Sequence, residues 1–158
     1  MSDTVRPAAL SGPPPGGATA NTGVATAATA RAHARAVVRE EWNTPSRTAR
    51  DEDVIDLLLV VSELVTNAIR HGGGLAGFEV EVADAGVRLL VHDHSEAAPR
   101  SSAGAAPPGH RVSGYGWPLV LRLAVEVAVE RRPGGGKTID VLVPLRSVPT
   151  GADVHDRG

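Results

Sequence analysis

Residues 51–71 read DEDVIDLLLVVSELVTNAIRH, and Gly72, Gly73 and Gly74 follow them. Large apolar side chains occupy most of these positions, and three acidic residues come first, where the positive end of a helix dipole favours them. The glycines provide the end of the helix. We therefore predict a helix over Asp51–His71 that is buried on most sides and leaves only a narrow polar stripe.

The polar stripe of this helix carries Glu63, Asn67 and the Arg70/His71 pair. Glu63 and Asn67 are four residues apart, so they face the same way, one turn above the other. Polar groups in the middle of so apolar a helix are expected to meet solvent, an ion or a ligand. An amide oxygen suits Mg2+, and a nearby carboxylate could take a proton from a hydroxyl. An ordinary polar helix surface is the alternative interpretation.

Downstream of the helix, the sequence predicts a hairpin and then a long loop. Residues 78–82 alternate between apolar and polar, residues 84–86 read Asp-Ala-Gly, and residues 87–91 continue as a second strand. Residues 95–113 are rich in Ser, Ala, Gly and Pro. This stretch is too long for an ordinary connection, so we expect a functional lid or a mobile loop.

The remaining elements complete an α+β pattern. Residues 24–42 form a moderately amphipathic helical stretch, and Pro118 marks the first turn of a further helix. Residues 125–131 and 137–143 are predicted strands around a Pro-Gly-Gly-Gly turn. The order of helices, hairpin, loop, helix and hairpin predicts a two-layer sandwich with helices on one face of a mixed, mainly antiparallel sheet.

The chain length is that of a single domain, since 158 residues leave no core for a second one. Residues 1–22 contain Pro and Gly but hardly any large apolar side chains, so we predict a disordered segment there. The expected domain covers residues 23–146. We predict a flexible tail over residues 147–158.

The composition argues against several classes of partner and location. The formal net charge is -2, so there is no cationic field that would favour direct nucleic-acid or membrane binding. The chain has no cysteine, and its beginning lacks the basic and apolar layout of a signal peptide. We expect a cytoplasmic protein.

At residues 61–72 the sequence VSELVTNAIRHG resembles the N box of the anti-sigma-factor serine kinases, a branch of the GHKL (Bergerat) ATPases. The resemblance implies that Asn67 holds Mg2+ and that Glu63 is the catalytic base. It also implies that Arg70 or His71 contacts phosphate.

Two later segments resemble further boxes of the same family. In His92-Asp93-His94-Ser95, Asp93 matches the residue that accepts a hydrogen bond from the adenine amino group, and Ser95 completes the D-x-S pattern of this ATP-binding box. Gly114-Tyr115-Gly116 resembles the glycine turn where backbone N–H groups approach phosphate.

The third segment, Gly136-Lys137-Thr138, resembles the terminal element of the family. The resemblance implies that Thr138 belongs to the ATP site and lies against Asp93. The resemblance as a whole spans roughly residues 24–145, and the order and spacing of the boxes are more specific than any one of them.

The resemblance implies a Bergerat fold that binds ATP or ADP with Mg2+. It further implies transfer of the ATP γ-phosphate to a Ser or Thr of an anti-anti-sigma (STAS-type) partner, sequestration of a sigma factor, and a tendency to form a homodimer. Trp117-Pro118 departs from the family, and the second, Gly-rich part of the Asp93 box is missing. Nucleotide binding is therefore better supported than turnover, and a binding module that has lost transfer chemistry is the alternative.

A P-loop and a His-based metal site are two further interpretations of the sequence. A P-loop needs a glycine where this chain has Arg131, and it would have to open a helix, whereas a strand pattern follows Lys137. A His-based metal hydrolase could use His92 and His94, which share one strand face, with His71 and His110 elsewhere in the chain. Strand alternation, however, turns Asp93 to the opposite face from His92 and His94. The hydrolase is the less favoured enzyme interpretation.

Overall fold

The computed structural model describes residues 19–20, 24–99 and 116–148, with only the backbone given for the first two. The helices are α1 (Ala27–Val37), which continues as a π-helical turn (Val38–Trp42), α2 (Asp51–His71) and α3 (Gly116–Leu123). The strands are β1 (Thr19–Ala20), β2 (Thr48–Ala49), β3 (Leu75–Ala83), β4 (Gly86–Asp93), β5 (Glu126–Arg131), β6 (Lys137–Pro144) and β7 (Ser147–Val148).

Five strands form the main sheet in the order β1-β3-β4-β6-β5, and each neighbouring pair is antiparallel. β2 and β7 pair separately. The predicted β3–β4 hairpin is present and is longer at both ends than the alternating pattern indicated. The prediction allowed for a mixed sheet, and the strand pairs of the described residues are antiparallel.

The two faces of the sheet differ because side chains alternate along each strand. On β4, Val87, Leu89 and Val91 are buried beneath the helices. Between them, Arg88 points to the other face and forms ion pairs of 2.6 Å with both Asp140 and Glu126. The three helices in the described part of the chain therefore lie on one side, and the predicted α+β two-layer fold is confirmed.

Helix α2 lies in the middle of the helical layer, with α1 and α3 packed against it. Its bounds are those predicted, and its buried residues are Asp53, Leu57, Leu58, Val60, Val61, Leu64, Val65 and Ala68. Arg31 of α1 donates a 2.9 Å hydrogen bond to Ser62 of α2. Among the described helices, none combines the length and the hydropathy needed to cross a membrane.

The first turn of α2 is held by the far end of the chain. Buried Asp53 accepts a 2.8 Å hydrogen bond from the backbone N–H of Arg146 and a 2.9 Å bond from its guanidinium. The hydrogen bond from the Arg146 side chain holds the pKa of Asp53 below its usual value. Beside this contact, β7 pairs with β2, so the last described strand meets the chain just before α2 begins.

The predicted terminal segments lie mostly outside the described residues. Within the predicted segment 1–22, Thr19 and Ala20 form β1 on the edge of β3. Within the predicted tail 147–158, Ser147 and Val148 form β7. The rest of both segments falls outside the described part of the chain.

Candidate functional site

Glu63, Asn67 and Gly116 lie together where the N-terminus of α3 packs on the polar stripe of α2. A Cβ atom added to Gly116 would lie 3.2 Å from Glu63 Oε2 and 3.7 Å from Asn67 Oδ1. A side chain at residue 116 would therefore fill the space in front of the carboxylate and the amide. The structure brings together three of the residues that the sequence singled out, although they come from two separate boxes.

The electrostatics of Glu63 favour a proton acceptor. Burial of its carboxyl group raises the pKa of Glu63 above its usual value, and the positive charge of Arg70 partly offsets this shift. A carboxylate with a raised pKa binds a proton more strongly than an ordinary Glu, which suits a general base.

The N-terminus of α3 offers backbone donors beside Glu63 and Asn67. The first N–H groups of a helix have no partner within it, and together with the helix dipole they favour phosphate. Pro118 lies in this first turn and has no N–H, so the set is reduced by one donor. Trp117 is half-buried and packs against the hydrophobic core.

Arg70 and His71 are exposed in the last turn of α2. Arg70 lies on the side of the stripe, since its charge is felt at Glu63. Gly114, the first glycine of the predicted phosphate turn, falls outside the described residues.

Asp93 forms the other end of the site, at the end of β4. It is 2% exposed, and its Oδ2 atom lies 2.7 Å from the Lys137 ammonium group, which is itself buried. Its Oδ1 atom accepts a 2.9 Å hydrogen bond from the backbone N–H of Ser95. Lys137 also donates a 3.4 Å bond to the Ser95 carbonyl. Asp93, Ser95 and Lys137 thus form one closed cluster.

Two glycines allow the backbone to approach Asp93. A Cβ atom on Gly72, at the end of α2, would lie 2.6 Å from Asp93 Oδ2. Gly136 has a φ of +84°, and a Cβ atom added to it would collide with the Asp93 backbone carbonyl. The backbone N–H of His94 also donates a 2.8 Å hydrogen bond to the Gly72 carbonyl. These contacts join the end of the site helix to the end of β4.

The prediction that Thr138 lies against Asp93 is wrong. Thr138 lies on the opposite face of β6, where its hydroxyl is hydrogen-bonded to His92 Nδ1 at 2.7 Å. Lys137 occupies the place beside Asp93 because strand alternation puts it on the same face as buried Ile139 and Val141. That alternation was visible in the sequence, and it was the signal that could have identified Lys137.

The histidines of the hydrolase interpretation do not converge in the described structure. His92 uses its second ring nitrogen in a 2.7 Å contact with Glu79, while His71 and His94 are exposed. Within residues 24–99 and 116–148, no group of three or more His, Asp or Glu side chains is arranged to hold a metal ion. His110 falls outside the described residues.

The arrangement fits a magnesium nucleotide. Asn67 offers an amide oxygen next to backbone donors, and Mg2+ binds in such sites through few protein groups and the phosphates. The absence of a side chain at Gly116 leaves room in front of Glu63 and Asn67, and the absence of one at Gly72 and Gly136 allows close backbone approach to Asp93. The Glu63–Asn67 pair and the Asp93 cluster lie at successive points along α2. This helix therefore spans the distance between the phosphate donors of α3 and the Asp93 cluster.

Comparison with known proteins agrees with this geometry. A family model described as a histidine kinase-like ATPase domain matches residues 23–142, which is most of the chain. No curated protein matches the sequence. Since the family match includes α2, the Asp93 strand and the Lys137 strand, the protein belongs to the histidine kinase-like ATPase domain family and carries a GHKL-type ATP-binding fold.

Proposed function

We propose that this ATP-binding domain is a protein serine/threonine kinase of the anti-sigma type. The observation that carries the proposal is the convergence of Glu63, Asn67 and Gly116. A domain that only held nucleotide would need the amide and the backbone donors. It would have no need of a partly buried carboxylate with a raised pKa beside them.

In this function, ATP would lie along α2. Asp93 would accept a hydrogen bond from the adenine amino group, and the N-terminal backbone of α3 would bind phosphate oxygens. Arg70 and His71, in the last turn of α2, would contribute positive charge or a hydrogen bond at the phosphate end. Asn67 Oδ1 would hold Mg2+, which supplies charge neutralisation at the phosphates when it is bound.

Glu63 would act on the acceptor protein. Its carboxylate takes the proton from a Ser or Thr hydroxyl of the partner, the hydroxyl oxygen forms a bond to the γ-phosphorus, and the bond from that phosphorus to the β–γ bridging oxygen breaks. The products are ADP, the phosphorylated partner and protonated Glu63. Positioning and charge stabilisation account for most of the acceleration in such reactions.

The proposed acceptor is an anti-anti-sigma (STAS-type) protein, and the proposed target of sequestration is a sigma factor. A homodimer is the proposed assembly. These partners come from the resemblance of residues 61–72 and of the Asp93 box to the anti-sigma serine kinases.

A second candidate function is a nucleotide-binding interaction module without phosphoryl transfer. Pro118 favours it, because this residue removes a backbone donor from the first turn of α3. Such a module would bind its regulator by surface contact and would use nucleotide only as a structural ligand.

The deciding experiment is transfer of labelled phosphate from ATP to a panel of STAS-type proteins. We expect transfer by the wild type and a fall of about 10²–10⁴-fold for Glu63→Gln, because a general base contributes that much to the rate. ADP affinity, measured by calorimetry, should change only a few-fold. The matched control is Glu81→Gln on β3, which removes one carboxylate away from the helical stripe.

Equal transfer rates for wild type and Glu63→Gln would show that the base is assigned wrongly. If neither protein transfers phosphate to any partner while both bind ADP, the interaction module replaces the kinase. The double variant Trp117→Leu with Pro118→Ala would then test whether the altered turn is the cause, since it restores the missing donor.

A further inference from the structure

Lys137 is the only Lys or Arg that is buried among the described residues, being 5% exposed. Burying an ammonium group and a carboxylate together costs solvation free energy that their attraction need not recover. A buried pair at this position therefore calls for a role beyond stability. The pair lies at the end of the site where Asp93 would contact a nucleotide base, which points to a role in recognising that base.

The hydrogen-bonding capacity of the pair is only partly used. An ammonium group has three N–H donors, and within residues 24–99 and 116–148 Lys137 has two acceptors, namely Asp93 Oδ2 and the Ser95 carbonyl. A carboxylate offers about four lone-pair positions, and Asp93 accepts one bond at each oxygen. Among the described residues, one N–H of Lys137 and further lone pairs of Asp93 have no partner, so a donor and an acceptor lie next to each other on one cluster.

The edge of adenine carries the complementary pattern. Its exocyclic amine is a donor, and the adjacent ring nitrogen N1 is an acceptor. We propose that Lys137 is a specificity-determining residue that donates a hydrogen bond to N1 while Asp93 accepts one from the amine. The inference rests on the proposed contact of Asp93 with adenine and adds a second reader of the base.

Two features of the cluster support this role. The Ser95 contacts and the close approach of Gly72 and Gly136 hold the carboxylate and the ammonium group in place before any ligand binds. A preorganised donor loses little freedom on binding, so its contact contributes more to affinity. A buried polar group that is left without its ligand partner also penalises the wrong base strongly.

The test compares ADP with two analogues by calorimetry at one Mg2+ concentration. In 1-deaza-ADP a C–H replaces N1, and in purine riboside diphosphate the amine is missing. Wild type should bind 1-deaza-ADP about tenfold or more weakly than ADP, the range for a hydrogen bond from a charged donor. Lys137→Met should bind these two ligands equally, yet it should still prefer ADP over purine riboside diphosphate, because Asp93 is retained.

Arg131→Met is the matched control, since it removes one exposed positive charge from the residue that pairs with Lys137 across β5 and β6. It should discriminate between ADP and 1-deaza-ADP as wild type does. If Lys137→Met does not fold, the double variant Asp93→Asn with Lys137→Met removes both charges and should likewise lose the N1 preference.

The proposal is overturned if wild type binds ADP and 1-deaza-ADP within twofold of each other. It is also overturned if the Lys137 variants keep the wild-type preference, or if they bind ADP more tightly, which would mean that Lys137 competes with the base for Asp93. The assay does not read phosphoryl transfer. A failure of the kinase assay with intact N1 discrimination would therefore refute the kinase and leave this inference standing.

Discussion

The carboxyl groups at the two ends of the candidate site lie in different electrostatic environments. At the Asp93 end, a buried carboxylate is neutralised by a buried ammonium group 2.7 Å away and by a backbone N–H. At the Glu63 end, burial raises the pKa of the carboxyl group, and the charge of exposed Arg70 offsets that only partly. The charge at the Asp93 end is compensated within the protein, whereas the Glu63 end keeps a carboxylate in an unfavourable environment.

Substitutions at the Asp93 end should therefore damage mainly the fold, and substitutions at the Glu63 end should damage mainly function. Residues of the Asp93 end contribute both to stability and to nucleotide binding. Replacing them should therefore lower the free energy of unfolding. Residues of the Glu63 end should be replaceable at little cost to stability, as is common where a site needs a strained or uncompensated group.

Removal of Lys137 should have the largest effect on stability. Lys137→Met leaves the buried Asp93 carboxylate without its counterion, and breaking one side of such a pair costs about 3–5 kcal/mol. The double variant Asp93→Asn with Lys137→Met should recover much of this loss, because no buried charge is left. Urea unfolding of the wild type, both single variants and the double variant measures the coupling.

If the free energy of unfolding of Lys137→Met lay within about 1 kcal/mol of the wild-type value, the proposed difference between the Asp93 end and the Glu63 end would be wrong. Such a result would mean that water or another group reaches Asp93 as readily as it reaches Glu63.

Gly72→Ala should destabilise the protein by about 1–3 kcal/mol, the usual range for overpacking. The new methyl group would lie 2.6 Å from Asp93 Oδ2 and 2.8 Å from the Ala68 carbonyl, so the end of α2 has to shift away from β4. Gly134→Ala is the matched control, because a Cβ atom at that glycine meets nothing within 4 Å. Thermal unfolding of the two variants should separate them, and equal melting temperatures would show that α2 and β4 are not in firm contact.

Asn67→Ala should change nucleotide binding without a comparable change in stability. With its amide oxygen gone, Mg2+ loses its protein ligand, so the gain in ADP affinity on adding Mg2+ should fall by about tenfold. Calorimetric titrations with and without EDTA measure this gain in wild type and variant. If the gain is the same in both proteins, another residue holds the metal.

Glu63→Gln should produce the smallest change in stability, a gain of less than about 1 kcal/mol near neutral pH. The pKa of Glu63 is raised in the folded protein, so the folded state binds the proton more tightly than the unfolded state. Wild-type stability is therefore lost as the pH rises from the usual value of 4.5 through the folded pKa. The advantage of the variant should be present at about pH 8 and absent at about pH 4. If the stability advantage of Glu63→Gln instead grew as the pH fell, the pKa of Glu63 would be lowered in the folded protein and not raised.

The sequence was most informative about α2. Its apolar positions, acidic first turn and terminal glycines predicted both bounds of the helix and the placement of Glu63 and Asn67 on one stripe. The period-two segments likewise predicted β3, β4 and β6. These patterns succeed because burial selects side chains at the period of the element, so the pattern carries the structure.

The sequence was less informative where contacts join distant segments. The pairing of Asp93 with Lys137 depends on the register between β4 and β6, which no local pattern states. Motif resemblance placed Thr138 beside Asp93, one residue away from the Lys137 position that alternation requires. β1, β2 and β7 are two-residue strands, too short to show any periodicity. The meeting of Gly116 with Glu63 also needed the packing of α3 on α2.

The contact between Asp53 and Arg146 has a consequence for the order of events during synthesis. Ninety-three residues separate the two partners, so the ribosome must release nearly the whole domain before the first turn of α2 receives its ion pair. Local helix formation can precede this step, but contacts of such sequence separation form late and slowly. A nascent chain that carries Glu63 and Asn67 would thus remain unable to bind nucleotide productively until its last strands emerge.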